Sequence, residues 1–294
     1  MTNRPSARVF CREIRVDDLQ SLETLLHRGF PERTRQDLAL ALRRLSAHST
    51  PEGYPRYGYV LQAGDTLVGV ILTIFSTVVV NGVPSIRGNV ANWYVDPEFR
   101  SYGSLLTSRA LSYRDATYLN ITPAKHTWPI LEAQGYQRLC TGVVAAVPAV
   151  TTVGSPAKVR KFDESFRTEG GLSAFEVKLL SDHAGYGCAS VVCGEGGDEH
   201  PFVFSPRRWT RWHAVPLPFV VLAHTRSVED FVHFAAPLGR YLLRRGIPLV
   251  FIDANGPIPG LRGRYLDWGP KFYRGANKPS LGDIAYTERV MFNL

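Results

Sequence analysis

Between Leu67 and Val80 the chain runs through 14 residues without a charge, and Val and Ile dominate the run. A bilayer-spanning helix needs about 20 apolar residues, so this segment is too short to cross as one. Its β-branched content, and the Gly69, Thr73, Ser76 and Thr77 within it, read as a long buried strand. Asn81-Gly82 follows at once, a pair suited to a two-residue hairpin turn. The chain is therefore built on a sheet with a long central hairpin. With 294 residues, 45% of them hydrophobic and 20% charged, it can bury a large core, and its length suits two domains.

Around this hairpin the first half has a readable order. Residues 9–15 alternate as a short strand. Asp17 and Asp18 open a helix with Leu19, Leu22, Leu25 and Leu26 on one face, ended by Gly29-Phe30-Pro31. Thr34 opens a second helix, with Leu38, Leu42 and Leu45 inward. Strands follow over 57–63 and 66–75, joined at Gly64-Asp65, then over 87–95. After a Pro- and Gly-containing turn come a helix from Ser104 to about Arg114, a strand over 117–121, a short helix over 127–134 and a strand over 136–147. Residues 148–158, rich in Pro, Gly and Thr, read as the link between domains 1–147 and 148–294.

The second half partly repeats the pattern. It has a helix over 173–183, a hairpin over 186–193 and 200–204, and a buried strand over 218–224. A helical segment then runs from Ser227 to Arg245, interrupted at Pro237, and a strand covers 248–252. The fold class expected is α/β (α+β), with a mixed, mostly antiparallel central sheet flanked by helices and present as two tandem copies.

The most informative stretch is Asn92-Trp93-Tyr94-Val95-Asp96-Pro97-Glu98-Phe99-Arg100-Ser101-Tyr102-Gly103-Ser104-Leu105. A strand ends at Val95, and a short turn leads into a helix near Gly103. Backbone N–H groups at such a helix start favour a phosphate. Gly103 lets a diphosphate come close to the backbone, and Arg100 adds a positive charge. This stretch resembles the coenzyme A motif of the GNAT superfamily of N-acetyltransferases, in which Arg or Gln is followed after two residues by Gly. Glu132-Ala-Gln-Gly135-Tyr136 resembles the segment after that family's last helix, and the element order over 12–147 matches as well.

The resemblance implies an acyltransferase using acetyl-CoA or another acyl-CoA as co-substrate and acting on a small-molecule acceptor. It implies that the backbone of Trp93, Tyr94 and Val95 holds the pantetheine arm and thioester. Arg100, Ser101, Tyr102, Gly103, Ser104 and Leu105 would hold the diphosphate. The chain departs from the family pattern at three places: Leu105 replaces the last small residue of the motif, Leu131 stands where many members have the Tyr that protonates the leaving thiolate, and Ala124 replaces an upstream Asn. His126, Tyr118, Tyr136 and Cys140 remain as candidate proton donors. His126 leads because imidazole titrates near neutrality, with Tyr118 as the second choice.

Asp253 and Asn255, at the end of an apolar strand and before a Gly/Pro-rich loop, are the candidate acceptor-binding pair, or else order their own loop. The tail over 271–288 mixes charged and aromatic residues and reads as an acceptor-pocket closure or an edge strand. The second half has no equivalent of the 100–105 turn and reads as a degenerate, cofactor-free copy.

Four cysteines, at 11, 140, 188 and 193, have no zinc-ribbon spacing, so no metal site is expected, and reduced thiols suit a cytoplasmic protein. No apolar leader segment and no membrane span are read. Lys plus Arg number 34 against 26 Asp plus Glu, a net charge of +8. That excess suits an anionic co-substrate, near Arg100, Arg109 and Lys125. Arg207-Arg208-Trp209-Thr210-Arg211-Trp212-His213 interleaves cations and rings as single-strand nucleic-acid sites do, but no nucleic-acid-binding motif accompanies it, so no nucleic-acid partner is expected. The alternative to an enzyme is a non-catalytic acyl-CoA-binding module.

Overall fold

The apolar run folds as the expected hairpin. In the computed structural model, which describes residues 8–151, 157–163, 166, 171–195, 197–208 and 218–292, it forms a strand paired antiparallel on both sides. Asn81 and Gly82 both take positive φ, 51° and 78°, as a tight primed turn requires. The chain divides into two compact units. One comprises residues up to Asn120 with Gly275–Asn277, and the other comprises Ile121–Arg274 with Lys278 onward.

The first unit contains β1 (Val9–Glu13), α1 (Leu19–Gly29), α2 (Arg35–Ala47), β2 (Gly58–Ala63), β3 (Thr66–Val80), β4 (Val83–Val95), α3 (Gly103–Ala110) and β5 (Ala116–Asn120). Strands β1 to β4 pair antiparallel in sequence order, and β5 adds parallel to β4. Helix α2 begins where Thr34 accepts the Asp37 N–H, satisfying one orphan donor of the first turn. Leu22, Leu25, Leu26, Leu38, Leu42 and Leu45 are buried as their spacing requires.

The second unit contains α4 (Trp128–Ala133), β6 (Gln137–Cys140), β7 (Gly142–Ala146), β8 (Lys158–Lys161), α5 (Ala174–Gly185), β9 (Ala189–Glu195), β10 (Asp198–Arg208), β11 (Pro218–His224), α6 (Val228–His233), α7 (Ala235–Leu243), β12 (Leu249–Ala254), β13 (Gly263–Leu266), β14 (Lys271–Arg274) and α8 (Glu288–Met291). Its seven-stranded sheet has the order β13-β7-β12-β11-β10-β9-β8, with only β11–β12 parallel. Each unit therefore has one parallel strand pair in an otherwise antiparallel arrangement. One face of the second sheet packs Phe202, Phe204, Val220, Leu222, Val250 and Ile252 against Phe231, Phe234 and Leu238.

Two departures from the sequence reading have clear causes. The strand expected over 136–147 is two strands broken at Thr141, whose N–H donates to the Asn255 side chain at 3.0 Å. Its second part, β7, pairs with β12 and β13. The segment from Ser227 is interrupted at Phe234 rather than at Pro237, because a proline ring collides with the carbonyl four residues earlier, here that of His233.

Two buried polar groups brace the second unit. Ser173 and Glu176 form a capping box at the start of α5, and Arg226 grips the same Glu176 carboxylate at 2.6 and 3.1 Å. His183, fully buried on α5, bonds through Nδ1 to the Leu179 carbonyl at 2.7 Å, and its Nε2 accepts the Tyr286 N–H at 3.2 Å. An Nε2 that accepts carries no proton, so the ring is neutral, and burial holds its pKa down at about 4.

The unfolded chain protonates this histidine below about pH 6.5 while the folded chain does not. Stability is therefore full above pH 6.5 and is lost as pH falls toward 4, by about 3 kcal/mol in all. Urea melts across pH 4–8 should show this decline, and His183→Gln should flatten it between pH 6.5 and 4.5.

Candidate functional site

Parallel pairing of β4 with β5 covers only Ile86–Asn89 against Ala116–Leu119, yet β4 continues to Val95. Beyond Asn89 the two strands part. Among the described residues, the backbone of 90–95 has ladder partners on β3 alone. The register against β3 passes from Leu72↔Ala91 to Val70↔Tyr94, so β4 carries one extra residue there. That residue is Asn92, at φ 48°, a left-handed conformation that Asn tolerates better than other side chains with a Cβ.

A bulge inverts the facing of every side chain beyond it. Trp93 and Val95 consequently turn toward Gly103 at the start of α3, while Tyr94 turns toward Gly29 of α1.

The strand exit is held from the α1 side. Arg28 makes two bonds to the Asp96 carboxylate, 2.8 Å from Nε and 2.6 Å from Nη2, and the Tyr94 hydroxyl donates to the same carboxylate at 3.0 Å. These bonds raise the Arg28 pKa further, while burial chiefly raises that of Tyr94. A Cβ on Gly29 would lie 2.4 Å from the Tyr94 ring, so only glycine fits at this point of α1.

After Asp96 the chain enters a 3₁₀ helix, Pro97–Tyr102, that runs straight into α3. The expected open turn is therefore already wound. The Phe99 N–H bonds to Asp96 and the Gly103 N–H to Arg100. Proline opens this helix because its missing N–H is not needed there. Arg100, Ser101, Tyr102, Ser104 and Leu105 are exposed and Gly103 is buried. Leu105, which replaces the last small residue of the motif, is 41% exposed.

Gly103 has ordinary helical φ, −58°. A Cβ there would meet Trp93 at 3.5 Å and Val95 at 3.7 Å, both ordinary contacts. Neither strain nor collision within the protein requires a glycine at this position, although glycine weakens a helix. Two polar atoms at the bulge, Trp93 Nε1 and Asn92 Oδ1, are buried without a hydrogen-bond partner among the described residues.

The other sequence candidates are placed as follows. Tyr118 is 2% exposed, and its hydroxyl both accepts the Tyr113 N–H at 3.0 Å and donates to the Tyr113 carbonyl at 3.2 Å. It clips the chain entering β5, and a proton given up there breaks the clip. His126 lies exposed in a 3₁₀ turn, Lys125–Thr127, ahead of α4. Leu131, Tyr136 and Cys140 are buried, and burial pushes the Cys140 thiol up to about 11.

Asp253 and Asn255 have internal partners. Asp253, 1% exposed, forms an ion pair with Lys271 of β14, itself 2% exposed, while its Oδ2 is without a partner among the described residues. Asn255 holds Thr141 at the break between β6 and β7, through the Thr141 N–H and hydroxyl. The Trp209–His213 part of the cation–aromatic run lies outside the described residues. Asn92, Arg28 and Gly29 escaped the sequence reading. The one available signal was an Asn interrupting an apolar strand.

In the second unit the position matching the parted strands is taken by the chain itself. Pairing of β11 with β12 ends at Val221↔Phe251, and Ile284 donates its N–H to Ala223 at 2.9 Å, beside an Asp283–His224 contact of 3.1 Å. Helix α6, which follows β11, starts at a Ser227 cap with no glycine. No group of three or more metal-ligating side chains is found among the described residues, and no helix among them is long and apolar enough to cross a membrane.

The Asp253–Lys271 pair allows a direct check. Lys271→Met strands a buried carboxylate and should cost about 3–5 kcal/mol in chemical denaturation, whereas Lys271→Met with Asp253→Leu should recover most of that loss.

No family model matches the sequence, and no curated protein does. Solved structures do match. A GCN5-related N-acetyltransferase from Anabaena variabilis aligns at TM-score 0.60 and 12% identity, over 91% of this chain and 72% of its own. One from Kribbella flavida aligns at TM-score 0.54 and 14% identity, over 95% and 74%. Eis1 from Mycobacterium abscessus aligns at TM-score 0.51 and 12% identity, over 91% and 73%. At these identities the likeness is one of fold, and it spans both units. The chain has the GCN5-related N-acetyltransferase fold.

Proposed function

We propose that the first unit is an acyl-CoA-dependent acyltransferase domain, transferring an acetyl or other acyl group to an amine or hydroxyl of a small-molecule acceptor. The observation that carries this reading is Gly103. It is a helical glycine with no internal reason to be one, set beside parted strands, and a ligand backbone approaching closely supplies the reason. The N–H groups of the first turn of α3, at Ser104 and Leu105, would face the diphosphate, with the exposed Arg100 adding charge. The unpaired edge of β4 over Trp93, Tyr94 and Val95 offers donors and acceptors to the pantetheine amides and to the thioester carbonyl as negative charge develops on it.

The acceptor attacks the thioester directly, so the site's main task is to hold two partners in line. Among the sequence candidates for proton carrier, Tyr118 is committed to residue 113 and His126 is exposed. The second unit, whose equivalent slot is filled by Ile284, is a remodelled copy without a co-substrate of its own. We place the protein in the cytoplasm, where acyl-CoA and free thiols are found together.

Gly103→Ala separates binding from folding. Its unfolding midpoint should be unchanged or slightly raised, while calorimetry should give a Kd for CoA about ten-fold weaker or more. Wild-type protein that shows no heat of CoA binding would sink the proposal.

A second reading, a non-catalytic acyl-CoA sensor, is favoured by the apolar, buried Leu131 and the engaged Tyr118. Release of free thiol from acetyl-CoA with any of a panel of amines or sugars rejects it.

A further inference from the structure

We propose that the Trp93 indole N–H is a ligand donor for the diphosphate of the co-substrate, a side-chain contact added to the backbone cradle. The inference rests on the reading of Gly103 given above. Three observations lead to it. First, the extra residue at Asn92 shifts the alternation of β4, which carries the Trp93 ring to the α3 side of the strand. Second, the indole comes to rest over Gly103, with Nε1 3.9 Å and Cζ2 3.5 Å from the position a Cβ would take there. Third, that N–H is buried and has no acceptor among the described residues.

A buried N–H left unbonded costs free energy, and an indole nitrogen can only donate, so the missing partner is an acceptor. A neighbouring helix start adds further donors and no acceptor. In the co-substrate complex that acceptor is supplied by the ligand. Of the chemical groups in an acyl-CoA, the diphosphate is the one richest in acceptor oxygens and the one suited to a helix start with an Arg nearby. The Trp93 side chain is partly exposed, and Gly103 puts no side chain over it. A small rotation of the ring as the ligand seats brings the N–H to a phosphate oxygen. The N–H bond is kept throughout, and no covalent step is involved.

Trp93→Phe keeps a flat apolar ring on β4 and removes the donor together with the outer part of the indole, a loss of packing that CoA and pantetheine binding would feel alike. Its Kd for CoA should rise about ten-fold or more, as expected for loss of a hydrogen bond to a charged group. Its Kd for pantetheine, which has no diphosphate, should stay within two-fold of wild type, about the scatter of such a titration.

In wild-type protein labelled with ¹⁵N at tryptophan, the indole resonance missing from Trp93→Phe should move downfield when CoA is added and not when pantetheine is added. This second measurement stands even if the variant folds poorly. Unchanged CoA affinity in Trp93→Phe, or an indole resonance that ignores CoA, overturns the inference while leaving the co-substrate site intact. Wild-type protein that does not bind CoA overturns both.

Discussion

One extra residue in β4 organises the first unit. Antiparallel pairing with β3 would otherwise carry a strict alternation to the end of the strand. Asn92, in a left-handed conformation, breaks it and sends Trp93 and Val95 to one face and Tyr94 to the other. The same stretch lies beyond the last residue that pairs with β5, so the bulge and the parting of the strands fall together. Backbone groups freed in this way must find partners in solvent or in a ligand. Everything read here as a site follows from that local failure of the sheet to continue.

The rest of the unit holds this irregular stretch still. Arg28 and Tyr94 converge on Asp96, at the point where the strand turns into a helix, and the two-point geometry of a guanidinium on a carboxylate fixes direction as well as distance. Gly29 leaves room for the Tyr94 ring. On the opposite side, Tyr118 ties residue 113 to β5, the strand that stops pairing with β4 at Asn89. These are positioning devices that make a gap between strands reproducible. Among the described residues of the second unit, Ile284 bonds to β11 where the gap would lie, and the following helix begins at a serine.

Several residues that looked chemical in the sequence turn out to be architectural. Asp253 was conspicuous as an acid at the end of an apolar strand, a common place for a binding residue. It is instead neutralised by Lys271, 18 residues further along the chain. Asn255 stood out for the same reason, and it stitches the break between β6 and β7. In each case the partner is remote in sequence, and a carboxylate or amide looks the same whether its partner is a substrate or a strand. The motif around Gly103 was legible because its meaning is local: strand, turn and helix start occupy consecutive residues, and the absence of a side chain is visible in the sequence itself.

Taken alone, the sequence determined the class of fold and most of the elements, though not the short strands β8 and β13 or the helix α8. Periodicity, β-branching and turn residues such as Asn81-Gly82 act over a few residues, and they set the hairpin, the helix caps and the mixed sheet correctly. It also marked out the 92–105 segment. Only the tertiary structure decided that Asn92 adds a residue to its strand, that the Trp93 N–H lies unbonded over Gly103, and that β7 joins the second sheet. Those outcomes depend on register and on pairing between distant segments, where the energies of many contacts compete and no single residue announces the result.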